Sequence, residues 1–110
     1  HMDYQKVAEL DALKPGEKKS FPLSGKTVLL ANVGGTIYAL DNKCPHMGGS
    51  LVDGDLEDVT LTCPRHGAKF DVRTGKNVGN AKLAFIQMKV ADAMSYPVKV
   101  EGNDILVALA

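Results

Sequence analysis

Four residues, Cys44, His46, Cys63 and His66, make up every cysteine of the 110-residue chain and every histidine except the one at position 1. They fall in two stretches, Cys44-Pro45-His46-Met47-Gly48-Gly49-Ser50-Leu51 and Cys63-Pro64-Arg65-His66-Gly67-Ala68-Lys69-Phe70-Asp71. These are a C-x-H pair and a C-x-x-H pair with sixteen residues between them. Two thiolates and two imidazoles on two short loops are a donor set for iron with sulfide, or for zinc. Proline after each cysteine stiffens its loop, and the glycines that follow each histidine let backbone amides come close to whatever lies between the loops. A mononuclear zinc site would use the same ligands and, in a chain this small, would serve architecture. The C-x-H pair is a tight bite for one tetrahedral ion, whereas two adjacent metals let neighbouring side chains serve different centres. A Cys44 to Cys63 disulfide is the third option, and it leaves both histidines without a role.

The spacing within each pair, the Pro-His-x-Gly and Pro-x-His-Gly contexts, Leu51, and the trailing Phe70-Asp71-x-x-Thr74-Gly75 together resemble the Rieske family. The resemblance implies a [2Fe–2S] cluster, with Cys44 and Cys63 on one iron and His46 and His66 on the other. It also implies an all-β fold, an antiparallel sheet sandwich bearing a small cluster-binding subdomain of two loops at about residues 43–75, within a single domain over residues 1–110. The specific motifs are concentrated between Lys43 and Gly75; outside that span the resemblance rests on the strand pattern. One departure stands out. Gly79-Asn80-Ala81 occupies a place where similar proteins often have Gly-Pro-Ala, in a proline-containing loop over the cluster, and the segment that follows is comparatively long.

At this length the chain suits one domain with a modest core and has no room for a second active site. Tryptophan is absent and aromatics make up only 5% of residues, so the core must rest on Val, Leu, Ile, Ala and a few Met. Phe21, Phe70 and Phe85 are its larger pieces. Thirteen charges of each sign argue against nucleic acid or an anionic membrane as a partner. The signs separate along the chain: Asp53, Asp55, Glu57 and Asp58 lie between the ligand pairs, and Arg65, Lys69, Arg73, Lys76 and Lys82 follow. That pattern reads as a solvated acidic turn beside a basic strand face, with a bipolar surface that orients a redox partner as the alternative. No apolar run reaches the length of a membrane span, and the N-terminus lacks a basic region followed by a hydrophobic stretch. His1-Met2 has the form of a cleaved-tag remnant. With both cysteines committed to metal, the expected compartment is the cytoplasm.

Short β-branched runs divided by glycine turns predict an antiparallel all-β domain. Lys26 to Val33, Gly34-Gly35 and Thr36 to Leu40 form a hairpin signal. Tyr96 to Val100, a turn at Gly102-Asn103-Asp104, and Ile105 to Leu109 repeat it, with Val98, Val100, Ile105 and Val107 expected on one core face. Further strands are expected near Val7 to Leu10, Glu17 to Leu23, Val59 to Cys63 and Lys69 to Val72. The Leu83 to Met94 segment mixes periods and reads as a strand leading into a single helical turn near Ala91 to Met94, its methionines filling core.

Imidazoles in place of two thiolates make such a cluster less negative and raise its potential into a range of about −150 to +300 mV. Rieske proteins of respiratory and photosynthetic complexes carry a second cysteine pair where this chain has Gly49 and Arg65. They also carry a serine and a tyrosine where it has Ala68 and Phe70. The missing hydroxyls would otherwise stabilise the reduced state, so a low potential is expected. A low-potential Rieske protein of this size resembles the ferredoxins that carry electrons from a flavin-containing NAD(P)H reductase to a terminal oxygenase, as carriers with no substrate of their own. His46 and His66 are expected at an exposed tip flanked by Met47, Pro64 and Arg65 as the contact for partners. The alternatives are a small Rieske-like subunit of a nitrite reductase or other oxidoreductase complex, and a zinc-stabilised interaction module. A detached oxygenase domain would need further histidines for its mononuclear iron, and none remain.

Overall fold

A computed structural model describes residues 3–44, 49–64, 67–79, 81–83, 86–88 and 91–109, with residues 81–83 and 86–88 described as backbone. Among them run strands β1 (Tyr4–Glu9), β2 (Lys18–Leu23), β3 (Lys26–Val33), β4 (Thr36–Asp41), β5 (Asp55–Glu57), β6 (Thr60–Thr62), β7 (Lys69–Asp71), β8 (Asn77–Gly79), β9 (Ala81–Leu83), β10 (Ile86–Met88), β11 (Ser95–Tyr96), β12 (Val98–Glu101) and β13 (Asp104–Ala108). Every pairing between them is antiparallel, which bears out the all-β expectation. No helix among the described residues is long and apolar enough to cross a membrane.

The central sheet, in the order β11-β4-β3-β2, is covered on both faces. That is why β3 carries an unbroken apolar run where a one-sided strand would alternate. Val28 and Leu30 point into one core with Ile37, Ala39, Tyr96, Ile105 and Val107, against the sheet β1-β13-β12. Leu29 and Ala31 point the opposite way with Leu40, toward Leu61, Phe70 and Val72 and the small sheet β5-β6-β7-β8. The layers therefore form a sandwich whose second core also contains Cys44, Leu51 and Cys63.

Four expectations are corrected. Ala91 to Met94 makes no helical turn: the segment is neither helix nor strand and is held by two distant anchors, Ala93 N–H donating to Gly75 O at 2.7 Å and Met94 O accepting from Asp41 N–H at 2.8 Å. Met94 is 61% exposed and fills no core. Val100 lies opposite Ile105 on the expected face but on the edge strand β12 beside its hairpin turn, 44% exposed, while Ile105 and Val107 are fully buried. The strand expected from Val7 begins earlier, at Tyr4, and Leu10 belongs to a 3-10 turn, Leu10–Ala12. The strand expected in the Leu83 to Met94 segment is β10, and its antiparallel pairing with β9 was not foreseen. Phe70 is fully buried and Phe21 half-buried, and Phe85 lies outside the described residues. Asp53, Asp55, Glu57 and Asp58 are exposed, as are Lys69, Arg73 and Lys76, in keeping with a solvated surface.

Two close approaches set the second core. A Cβ on Gly54 would stand 1.9 Å from the Thr62 carbonyl oxygen, so only glycine lets the chain after Leu51 lie against the end of β6. Gly75, at a φ of +81°, would put a Cβ 2.1 Å from the Ala93 carbonyl oxygen, so the 91–94 segment can lie on the turn after β7 only if residue 75 is glycine. In each case the obstructing atom is backbone and cannot swing aside. Gly54→Ala is expected to lower the unfolding free energy by about 1–3 kcal/mol through overpacking, and Gly75→Ala by more, because its left-handed conformation adds about 1–2 kcal/mol. Chemical denaturation of each variant checks this; unchanged midpoints would contradict it.

Candidate metal centre

Cys44 leaves the end of β4 and Cys63 leaves the end of β6, and each begins a loop closed in the same way. Cys44 N–H donates to Gly49 O at 2.7 Å and Cys63 N–H donates to Ala68 O at 2.7 Å, a span of five residues in both. The flanking residues pair as well, Lys43 with Ser50 as an isolated bridge and Thr62 with Lys69 at the mouth of the β6–β7 ladder. The chain thus builds two matched loops with a cysteine at the same position in each. His46 falls within the first closure and His66 within the second by sequence; both lie outside the described residues, as do Met47 and Arg65. Pro64 is exposed at the start of the second loop.

The two thiols are each 1% exposed and share one buried cluster with Leu51, Ala68 and Phe70. They are not joined in a disulfide, which removes the third option for their pairing. Two unbridged cysteines buried at the bases of adjoining loops fit a group held between those loops, and soft thiolate donors suit an iron–sulfur centre or zinc. Among the described residues, no three histidine, cysteine or acidic side chains gather as a metal site.

What holds the loops in place was only partly legible. The Thr74-Gly75 pair was marked by the motif, and its role is to seat residues 91–94. That segment continues into Tyr96, whose hydroxyl donates to Asp41 Oδ2 at 3.4 Å, while Asp41 Oδ1 accepts from Lys43 N–H at 3.0 Å. Burial first, then the neighbouring Asp41 carboxylate, pushes the Tyr96 hydroxyl pKa upward. A single stretch of chain therefore braces both the turn that follows the second loop and the residue that precedes the first. Asp71 folds that turn: its carboxylate accepts from Arg73 N–H, Nε and Nη2 at 2.9, 3.0 and 2.8 Å. The Arg73 guanidinium holds the Asp71 carboxyl below the usual carboxylate range. Asp41, Asn42 and Gly54 carried no signal that sequence reasoning used, because their partners lie far along the chain.

Residues 3–97 match the Rieske [2Fe-2S] domain. The ferredoxin component of biphenyl 2,3-dioxygenase from Rhodococcus jostii (strain RHA1) is 37% identical over 108 residues, covering 98% of this chain and 94% of that protein. Among solved structures, the ferredoxin of carbazole 1,9a-dioxygenase from Nocardioides aromaticivorans IC177 superposes with a TM-score of 0.82 at 34% identity, over 96% of each chain. A chain from a complex of reduced oxygenase and oxidized ferredoxin in carbazole 1,9a-dioxygenase gives a TM-score of 0.79 at 25% identity, over 98% of this chain and 94% of that one. Matched over nearly its whole length by a domain profile, by sequence and by fold, the chain belongs to the Rieske [2Fe–2S] family, with a Rieske-type cluster as its cofactor and electron transfer rather than catalysis as its work.

Proposed function

We propose that this protein is a low-potential one-electron carrier of the cytoplasm, taking electrons from an NAD(P)H-dependent flavin reductase and delivering them to a terminal oxygenase. Residues 1–110 act as a single Rieske domain, with the cluster-binding subdomain at about residues 43–75. Cys44 and Cys63 ligate one iron, and His46 and His66 ligate the other. The observation that carries this reading is the pair of matched loops, each opened by a buried cysteine and closed by the same backbone hydrogen bond. Partner classes follow from the relatives, one a ferredoxin component of a dioxygenase and one a chain from an oxygenase and ferredoxin complex.

When bound, the cluster supplies reversible one-electron chemistry at a potential set by its ligands and surroundings. The protein's residues do the rest. Cys44 and Cys63 anchor their loops inside the core, where solvent is excluded. Ala68 and Phe70, fully buried in the cluster of side chains that holds both cysteines, bring no hydroxyl to donate to sulfur, which keeps the potential low. In this reading His46 and His66 serve as the electron exit, with Met47, Pro64 and Arg65 as the contact for partners. A small apolar contact suits transient docking, in which tight binding would slow turnover.

A potentiometric titration is expected to place the midpoint in the lower half of the family range of about −150 to +300 mV; a value in the upper half would contradict the low-potential assignment. Met47→Asp is expected to slow electron delivery to the oxygenase while leaving the cluster's absorption spectrum intact. An unchanged transfer rate would remove this face from the docking account.

A further inference from the structure

We infer that Asn42 is a positioning residue for the cluster, the side chain that keeps the first loop closed where the fold supplies no strand ladder to do so. The inference rests on the proposed ligand set and goes beyond it, because Asn42 is not a ligand.

The two loops match at their mouths and differ below them. Beneath the second, β6 and β7 pair in register as Thr62 with Lys69, Leu61 with Phe70 and Thr60 with Asp71, so its arms are zipped by a ladder. The first has the single bridge of Lys43 with Ser50, after which the returning chain turns into a 3-10 turn at Leu51–Asp53. Such a turn begins with backbone N–H groups that need acceptors from outside it. Ser50, in the capping position, gives no side-chain bond. Asn42 gives it instead: its Oδ1 accepts from Val52 N–H at 2.9 Å, and its backbone carbonyl accepts from Leu51 N–H at 2.7 Å. On the departing side its own N–H donates to Thr27 O at 3.0 Å, which fixes Asn42 to the start of β3.

Asn42 is 7% exposed and sits two residues before Cys44. Leu51, which it holds, is fully buried against the cluster of side chains that includes both cysteines. The side-chain amide thus ties the returning arm of the first loop to the departing one at Val52, next to the leucine that the residue 42 backbone carbonyl holds. Asn32, the other buried polar side chain among the described residues, contrasts with it. Asn32 donates from Nδ2 to Leu13 O at 2.9 Å and accepts from Gly35 N–H at 2.8 Å, both remote in sequence from either loop. It braces framework, whereas Asn42 braces the site.

Removing the acceptor of the part-buried Val52 N–H is expected to change a local equilibrium by about five-fold. The test compares holo wild type with Asn42→Ala, Asn42→Asp and Asn32→Ala. It measures iron and acid-labile sulfide, the reduced EPR line shape, and the rate of cluster loss to an iron chelator. Asn42→Ala is expected to retain the far-UV spectrum of the fold, to broaden the EPR signal and to lose its cluster about five-fold faster. Asn42→Asp, which keeps an oxygen for Val52 N–H, is expected to lose cluster at close to the wild-type rate. Asn32→Ala is expected to unfold at lower denaturant without a change in the EPR line shape. A wild-type rate for Asn42→Ala, or an Asn42→Asp that fails as fully as Asn42→Ala, would overturn the inference. If Asn42→Ala does not fold, Asn42→Ser takes its place and must lose cluster faster than Asn42→Asp; the reverse order overturns the inference. Wild type lacking labile sulfide would overturn the carrier reading itself, and is distinguished from failure of the inference by being seen before any variant is compared.

Discussion

Two backbone hydrogen bonds, Cys44 N–H to Gly49 O and Cys63 N–H to Ala68 O, decide what the rest of this small protein must do. Each ties a cysteine to the residue five places on and so sets the distance between the two ends of its loop. Neither loop is self-supporting. The second stands on the β6–β7 ladder, and the first stands on one bridge and the amide of Asn42. Setting them side by side then requires the Thr62 carbonyl to pass where any Cβ at position 54 would be, and the Ala93 carbonyl to pass where any Cβ at position 75 would be.

The central sheet supplies the platform. Because β3 is buried on both faces, it links the core shared with β13 to the core that contains the thiols, and the aromatic-poor composition is offset by the use of β3 and β4 in both cores. Family relatives used as oxygenase ferredoxins share this fold over nearly the whole of their length. The strands that carry the second loop and its neighbours are three residues long, and a bound group linking the two loops would add the cross-link that such short ladders lack.

The four candidate ligands stood out because their chemistry is scarce in the chain, and scarcity together with spacing carries information without any fold. The β3–β4 hairpin was legible because eight and six residues are long enough for a pattern to show around Gly34-Gly35. Strands β5 and β8 were not foreseen, since three residues hold too little periodicity. The 91–94 segment was misread for a physical reason: its course is fixed by hydrogen bonds to Gly75 and Asp41, sixteen or more residues away, which no local propensity can register. Val100 followed the right face but not the right depth, because alternation gives the side of a sheet and leaves out where the sheet ends. Asn42 and Gly54 were silent, each defined by a partner across a loop closure.

The central claim is that the buried thiols of Cys44 and Cys63 hold an electron-carrying cluster jointly with His46 and His66. The most direct measurement is the low-temperature EPR spectrum of the dithionite-reduced protein, with iron and acid-labile sulfide assayed on the same sample. The account predicts equal iron and sulfide and a rhombic signal whose average g lies below that of all-cysteine clusters. An EPR-silent protein containing zinc would contradict it and would make the two loops an architectural site.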